Sequence, residues 1–217
     1  MRDHDQARLL QGVSRSFYLS LRLLPRPMRG AAGLGYLLAR TSDTLADSAG
    51  IEPGARVDAL DAFNQALEGG SRTVAWSQPL QAAVADPMER RLLGRTAELI
   101  EALDALPAGE AALVREVVGI IVGGQRLDLL RFGQASATDP IPLDDDAQLD
   151  DYTWRVAGCV GAFWTKLGFL TLGPGFASDP EPIMVERGIA YGKSLQLVNI
   201  LRDLPRDLGD GRCYLPV

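Results

Sequence analysis

Apolar residues recur three and four positions apart along most of the chain, whereas alternating or β-branched runs of strand type are scarce. The pattern predicts an all-α fold with helices over 6–22, 27–48, 56–68, 78–103, 108–133, 146–172 and 180–207, the fourth interrupted around Asp86 and Pro87. The clearest loops, "GQASATDPIPLDDD" and "GPGFASDPEP", are rich in turn residues, and each leads into a strongly apolar helix. Two segments, "AALVREVVGIIVGGQ" and "RVAGCVGAFWTKLGFLTLG", are apolar or small on more than one face, which suggests helices enclosing something rather than a simple amphipathic shell. Within the second, Gly158 and Gly161 let another body approach the backbone, either a neighbouring helix or a ligand.

At 217 residues and 47% hydrophobic content, the chain is long enough for one well-buried domain over 1–217 and short for two. The net charge of −6 argues against a general nucleic-acid binder, which needs a basic surplus. Cys159 and Cys213 lie far apart without C-x-x-C spacing, so neither a zinc site nor a disulfide framework is indicated, and a reducing cytoplasm fits best. The start, "MRDHDQARLLQG", lacks the apolar core of a secretory signal, and no stretch is apolar for long enough to span a bilayer. His4, the one histidine, lies in this start and gives no basis for histidine chemistry.

The charge becomes informative where it interrupts apolar helices. In "YLLARTSDTLADS", Asp43 and Asp47 stand one turn apart, with Tyr36 and Arg40 continuing the same stripe. Like charges at this spacing repel by only about 0.2–0.5 kcal/mol, so such a pair taken singly is ordinarily a solvated face. A second stripe changes that reading: Gln196, Asn199, Asp203 and Asp207 follow at helical spacing among Leu195, Leu197, Val198, Ile200, Leu201 and Leu204. Two acidic stripes on two apolar helices suggest a shared cavity in which carboxylates jointly hold Mg²⁺, whose remaining ligands come from water and substrate phosphates. The EF-hand loop for calcium is absent. Pro205 lacks an amide hydrogen, so a kink or restart is expected there, which would swing Asp207 away and make it the least secure ligand. Arg202 and Arg206 are placed to pair with acids or phosphate, Arg206 more as a surface ion pair.

Four blocks, "SRSF" at 14–17, "YLLARTSDTLAD" at 36–47, "DYTWRVAGCVG" at 151–161 and "GKSLQLVNILRDLPRDLGDGRCYLP" at 192–216, resemble the squalene/phytoene synthase family in type and order. The "SDTLAD" form is closer to squalene-synthase-like members than to the double-aspartate form common in phytoene synthases. The resemblance implies an isoprenoid-synthase helical fold whose central cavity binds two allylic diphosphates, commonly farnesyl diphosphate. It implies Mg²⁺ held by Asp43 and Asp47 from one wall and by Asn199, Asp203 and Asp207 from the other. By the same resemblance Ser14, Arg15, Ser16 and Phe17 contact diphosphate, and Arg40, Gln196, Arg202, Arg212 and Tyr214 stand near metals or diphosphates. Tyr152 faces the reaction centre, with Val156 and Val160 lining the tail channel. Read without the resemblance, Ser14 and Ser16 cap or decorate a helix start, Phe17 is core, and Tyr152 satisfies its hydroxyl at a helix entrance.

The implied chemistry is ionisation of one diphosphate, attack by the second prenyl chain, proton loss to a cyclopropyl diphosphate, and a second ionisation with rearrangement. Tyr152 or the released diphosphate is the acid–base partner. NADPH as hydride donor leads to squalene; without it, carotenoid-type precursors result. No G-x-G-x-x-G turn marks a nicotinamide site, which in an all-α family leaves NADPH open. Peripheral membrane contact would serve release of so apolar a product.

This chain departs from the family pattern at Pro205 and Arg206, and family members continue beyond "GRCYLPV" through further helices, so a shortened cavity wall is expected. Among rivals, a head-to-tail prenyltransferase or terpene cyclase also uses aspartate-rich sites, but "SRSF" and "RVAGCVG" speak against it. From another class, a noncatalytic member acting as an assembly or binding protein would be expected to have lost its acidic pairs.

Overall fold

A computed structural model describes residues 3–14, 17–48, 50–69 and 74–216, with side chains from residue 7 onward. In chain order the helices are α1 (Asp3–Ser14), α2 (Phe17–Leu23), α3 (Arg26–Ala46), α4 (Pro53–Leu67), α5 (Gln78–Ala83), α6 (Pro87–Leu93), α7 (Thr96–Asp104) and α8 (Ala108–Phe132). Strand β1 (Ile141–Leu143) is followed by α9 (Asp146–Thr153), a π-helical turn at Trp154–Gly158, α10 (Cys159–Leu172), a 3₁₀ turn (Pro174–Phe176), α11 (Glu181–Gly209) and strand β2 (Arg212–Pro216). The all-α expectation holds apart from β1 and β2, a short parallel pair.

Most helix starts follow from local chemistry. Proline occupies the first turn of α3, α4, α5, α6 and α11, where its missing amide costs nothing. Asp86 caps α6 by accepting from the amides of Met88 and Glu89, and the same cap divides the expected 78–103 helix. The 146–172 helix is interrupted by the π-turn, for which the hydrophobic pattern carries no signal.

The main core is leucine-rich: Leu34, Leu37, Leu38 and Leu45 of α3 meet Leu60 and Phe63 of α4, Leu99 and Leu103 of α7 and Val114 and Val118 of α8. Helix α3 packs along α8, and α11 lies against α10 and the π-turn. The second contact answers the question raised by the glycines. A Cβ on Gly161 would stand 1.9 Å from the carbonyl oxygen of Gly188, and one on Gly192 would stand 2.4 Å from that of Ala157. The body admitted by Gly161 is therefore α11, brought to backbone contact. A smaller apolar cluster, Phe132, Leu143, Ile200 and Tyr214, ties the end of α8 to β1, α11 and β2.

Pro205 does not restart the helix: α11 runs from Glu181 to Gly209 with Pro205 inside it. The carbonyl that loses its donor belongs to Leu201, which is 63% exposed, so water can satisfy it and the continuous helix survives. The outward side of α11 also leaves Tyr191, Leu195 and Val198 exposed.

Candidate active site

Between α3, α4, α8, α9, α11 and β2 lies a cavity of about 810 Å³. Asp47, which caps the end of α3, and Arg56 of α4 line one side, Gln125 and Asp128 of α8 line its base, and Gln196, Asn199, Asp203 and Asp207 line the other side, with Tyr152, Arg212 and Tyr214 between. Of the first stripe Asp47 lines this space, and of the second Gln196, Asn199, Asp203 and Asp207 line it.

Asp43 meets this space through a neighbour: its Oδ1 accepts a 2.5 Å hydrogen bond from Gln125 Nε2. Solvent still reaches 42% of the Asp43 side chain, yet protein surrounds the carboxyl on most sides, and burial raises its pKa to about 6. The Asp47 and Glu89 carboxylates push the same way, while Arg40 and Gln125 oppose them. Arg40 is shared, with its guanidinium 3.7 Å from Asp43 and paired more closely with Glu89 of α6. Burial also raises Asp47, against the pull of Arg212 and Arg40.

On α11, the stripe stays in register because the helix is continuous. Asn199 Nδ2 donates to Gln196 Oε1 at 3.3 Å, and Gln196 Nε2 donates to the Tyr152 hydroxyl at 3.4 Å. Asp207 is raised, chiefly by burial, and stands 3.7 Å from Arg212, which also donates to Asp210 at 3.0 Å. Asp203 is differently engaged: Arg202 grips its two oxygens at 2.8 and 2.6 Å, and that hydrogen-bonded pair holds the carboxyl below its ordinary range. Asp207, expected to be the least secure member, keeps its place on the stripe, whereas Asp203 has a side-chain partner of its own.

Other sequence candidates lie further off. Ser14 is buried and its hydroxyl donates to the Leu10 carbonyl at 2.5 Å. Phe17, 39% exposed, stacks on Tyr36 with ring centroids 5.3 Å apart. Arg15 and Ser16 lie outside the described residues. Val156 sits in the π-turn and Val160 packs on the main core; neither is among the residues lining the cavity.

Sequence reasoning missed Gln125, Asp128, Glu89 and Arg56. Gln125 and Asp128 carried a signal, being polar residues three apart at the end of an otherwise apolar helix. Glu89 and Arg56 carried none, since each looks like an ordinary surface charge until the fold brings α6 and α4 to α3.

Among the described residues no three His, Cys, Asp or Glu side chains converge tightly enough to hold a metal ion by themselves. The donor set is nevertheless that of a hard cation: oxygen atoms from Asp43, Asp47, Asn199 and Asp207, with burial raising all three carboxyls, and Gln125 Oε1 and Asp128 Oδ1 buried and lacking hydrogen-bond partners. Such a set suits an ion that takes one or two protein oxygens and completes its shell with water and an oxyanion. Both cysteines are free, and burial raises Cys159 to about 12.

The family model for squalene/phytoene synthase matches residues 10–217. A presqualene diphosphate synthase of Rhodopseudomonas palustris is 32% identical over 208 residues, covering 95% of this chain and 60% of the relative. A 15-cis-phytoene synthase of Synechocystis is 30% identical over 210 residues, covering 94% of this chain and 52% of the relative. A solved complex of TcSQS with the ligand BPH1237 superposes with a TM-score of 0.74 at 26% identity, covering 98% of this chain and 57% of that one. The chain therefore spans between half and two thirds of the length of these proteins.

Proposed function

Because the chain belongs to the squalene/phytoene synthase family, we propose that it joins two prenyl diphosphates, farnesyl diphosphate foremost, head to head, giving presqualene diphosphate and squalene or a related carotenoid precursor. The observation that carries this reading is the single cavity lined by Asp47 on one side and by Asn199, Asp203 and Asp207 on the other, with Arg212 and Tyr152 between them. Magnesium is the cation of choice, and when bound it neutralises the charge that collects on a departing diphosphate.

The chain's own residues do the rest. Asp43 and Asp47 present oxygen donors from α3, Gln125 fixes Asp43 by its hydrogen bond, and Asn199 and Asp207 present donors from α11. Arg212, Arg56 and Arg206 line the same space and supply fixed positive charge to diphosphate oxygens, so that charge separates in a preorganised polar setting. Burial, with Asp128 nearby, holds the Tyr152 phenol well above its usual range, so Tyr152 enters as an O–H donor and not as a phenolate. The proton lost on cyclopropane formation then goes to the released diphosphate. Apolar lining from Ala46, Leu129, Phe132 and Ile200 limits capture of the cation by water. Hydride from NADPH would complete squalene; its absence would leave a cyclopropyl or dehydro product.

A second reading, a noncatalytic binding member, draws on the grip of Arg202 on Asp203. One experiment separates the two: incubation with farnesyl or geranylgeranyl diphosphate and Mg²⁺, with and without NADPH, followed by identification of the extracted product. A head-to-head product, lost in Asp47→Asn, supports the enzyme. Hydrolysed or unchanged substrate with every donor supports the binding member.

A further inference from the structure

The two walls of the cavity share a base, α8, whose Gln125 and Asp128 lie three residues apart and so on one face. Gln125 serves the α3 wall through Asp43. Asp128 serves the opposite side: its Oδ2 accepts a 2.8 Å hydrogen bond from the Tyr214 hydroxyl, while Oδ1 has no hydrogen-bond partner and lies 4.0 Å from Arg131. Tyr214 is 6% exposed and is gripped from the side by Phe132, edge-on at 5.2 Å. Its open face carries Tyr152, stacked with ring centroids 4.3 Å apart and planes 22° from parallel. Tyr152 in turn meets Gln196 on the acidic stripe of α11.

We infer that Asp128 is a positioning residue: by holding the Tyr214 hydroxyl it sets the plane of the Tyr214 ring, and through that stack the plane and hydroxyl direction of Tyr152 at the cavity. The inference rests on the proposed condensation for its catalytic meaning, but the geometric coupling stands on the contacts alone. A neutral phenol is required of Tyr214 as donor, and burial beside Asp128 keeps it so. Stacking alone permits in-plane sliding and rotation; the hydrogen bond to Asp128 removes that freedom. An off-centre Tyr152 would lower turnover more than it raises KM.

The test uses the chain labelled with 3-fluorotyrosine, whose five tyrosines give fluorine resonances assignable by single Phe substitutions. In Asp128→Ala the resonances of Tyr214 and Tyr152 should both move while those of Tyr18, Tyr36 and Tyr191 stay, which also shows that the fold is kept. Tyr214→Phe should move the Tyr152 resonance as well. In the farnesyl diphosphate assay kcat should fall by about 10- to 100-fold in Asp128→Ala with a smaller change in KM, and Asp128→Asn, which keeps an acceptor, should recover most of the loss. The double variant Asp128→Ala/Tyr214→Phe should be no worse than the poorer single. A Tyr152 resonance that ignores Asp128→Ala, or full turnover in that variant, overturns the inference. If the unmodified chain turns over no prenyl diphosphate, the proposed condensation fails, and the fluorine spectra alone decide whether Asp128 sets Tyr152.

Discussion

Gln125 of α8 donates a 2.5 Å hydrogen bond to the carboxylate of Asp43 on α3, so the orientation of the first acidic stripe is fixed by a helix that carries no part of either stripe. Removing the donor leaves Asp43 free to rotate and less willing to stay ionised. Gln125→Leu should weaken Mg²⁺ binding by about 10- to 100-fold with little change in thermal midpoint. Calorimetric titration with Mg²⁺ in the presence of inorganic diphosphate measures this, and unchanged affinity would remove Gln125 from the site.

The acid–base balance of the metal-free protein gives a pH dependence opposite to ordinary acid denaturation. Asp43 and Asp128 both ionise near 6 in the folded chain, mainly because of burial, against about 3.9 when unfolded. The folded state therefore holds these protons more tightly, so stability should rise as pH falls from 7 through 6 towards 4, and fall again as pH rises through the same window. The Asp43 share is damped by the solvent that reaches its side chain. Thermal melts of metal-free protein between pH 7 and 5 read the sign, and a midpoint that drops steadily over that range would contradict the burial described.

Backbone contact between α10 and α11 predicts an unequal response to alanine. Gly161→Ala drives a methyl to 1.9 Å from the Gly188 carbonyl oxygen, which should cost about 1–3 kcal/mol or more as the helices separate. Gly30→Ala on α3 meets nothing within 4 Å and should gain about 0.5–1 kcal/mol from helix propensity. Urea unfolding of the two variants gives both values; equal effects would argue against the close crossing.

Pro205 sits inside an unbroken helix with its turn facing water. Pro205→Ala restores a donor to the Leu201 carbonyl and relieves the ring clash, so stability should increase by about 1–3 kcal/mol. Urea unfolding reads this as well. A loss would mean that the proline shapes α11 in a way the continuous helix does not reveal.

Helix positions were legible because burial on one face writes itself into a three-and-four spacing, and α3, α8 and α11 fall within two or three residues of expectation. The β1–β2 pair was not, since a three-residue strand such as "IPL" has no period long enough to detect, and its partner lies far along the chain. Asp43, Asp47, Asn199, Asp203 and Asp207 were visible as polar residues misplaced on apolar helices. Their differing states were invisible: Asp203 paired to its neighbour Arg202, and Asp43 held by Gln125, depend on rotamers and on which helix arrives next to which. Pro205 misled because propensity weighs one residue alone, whereas the packing of the rest of α11 carries the helix through it at a cost to stability.

Opposed walls at α3 and α11 are proposed to grip one diphosphate through shared cations. Calorimetric binding of the unreactive farnesyl thiodiphosphate, with and without Mg²⁺, tests this most directly in the unmodified chain and in Asp47→Asn and Asp207→Asn. The account predicts tight binding only with Mg²⁺ and its loss in each single variant, one from either wall. Binding that ignores Mg²⁺, or that survives both substitutions, would contradict it.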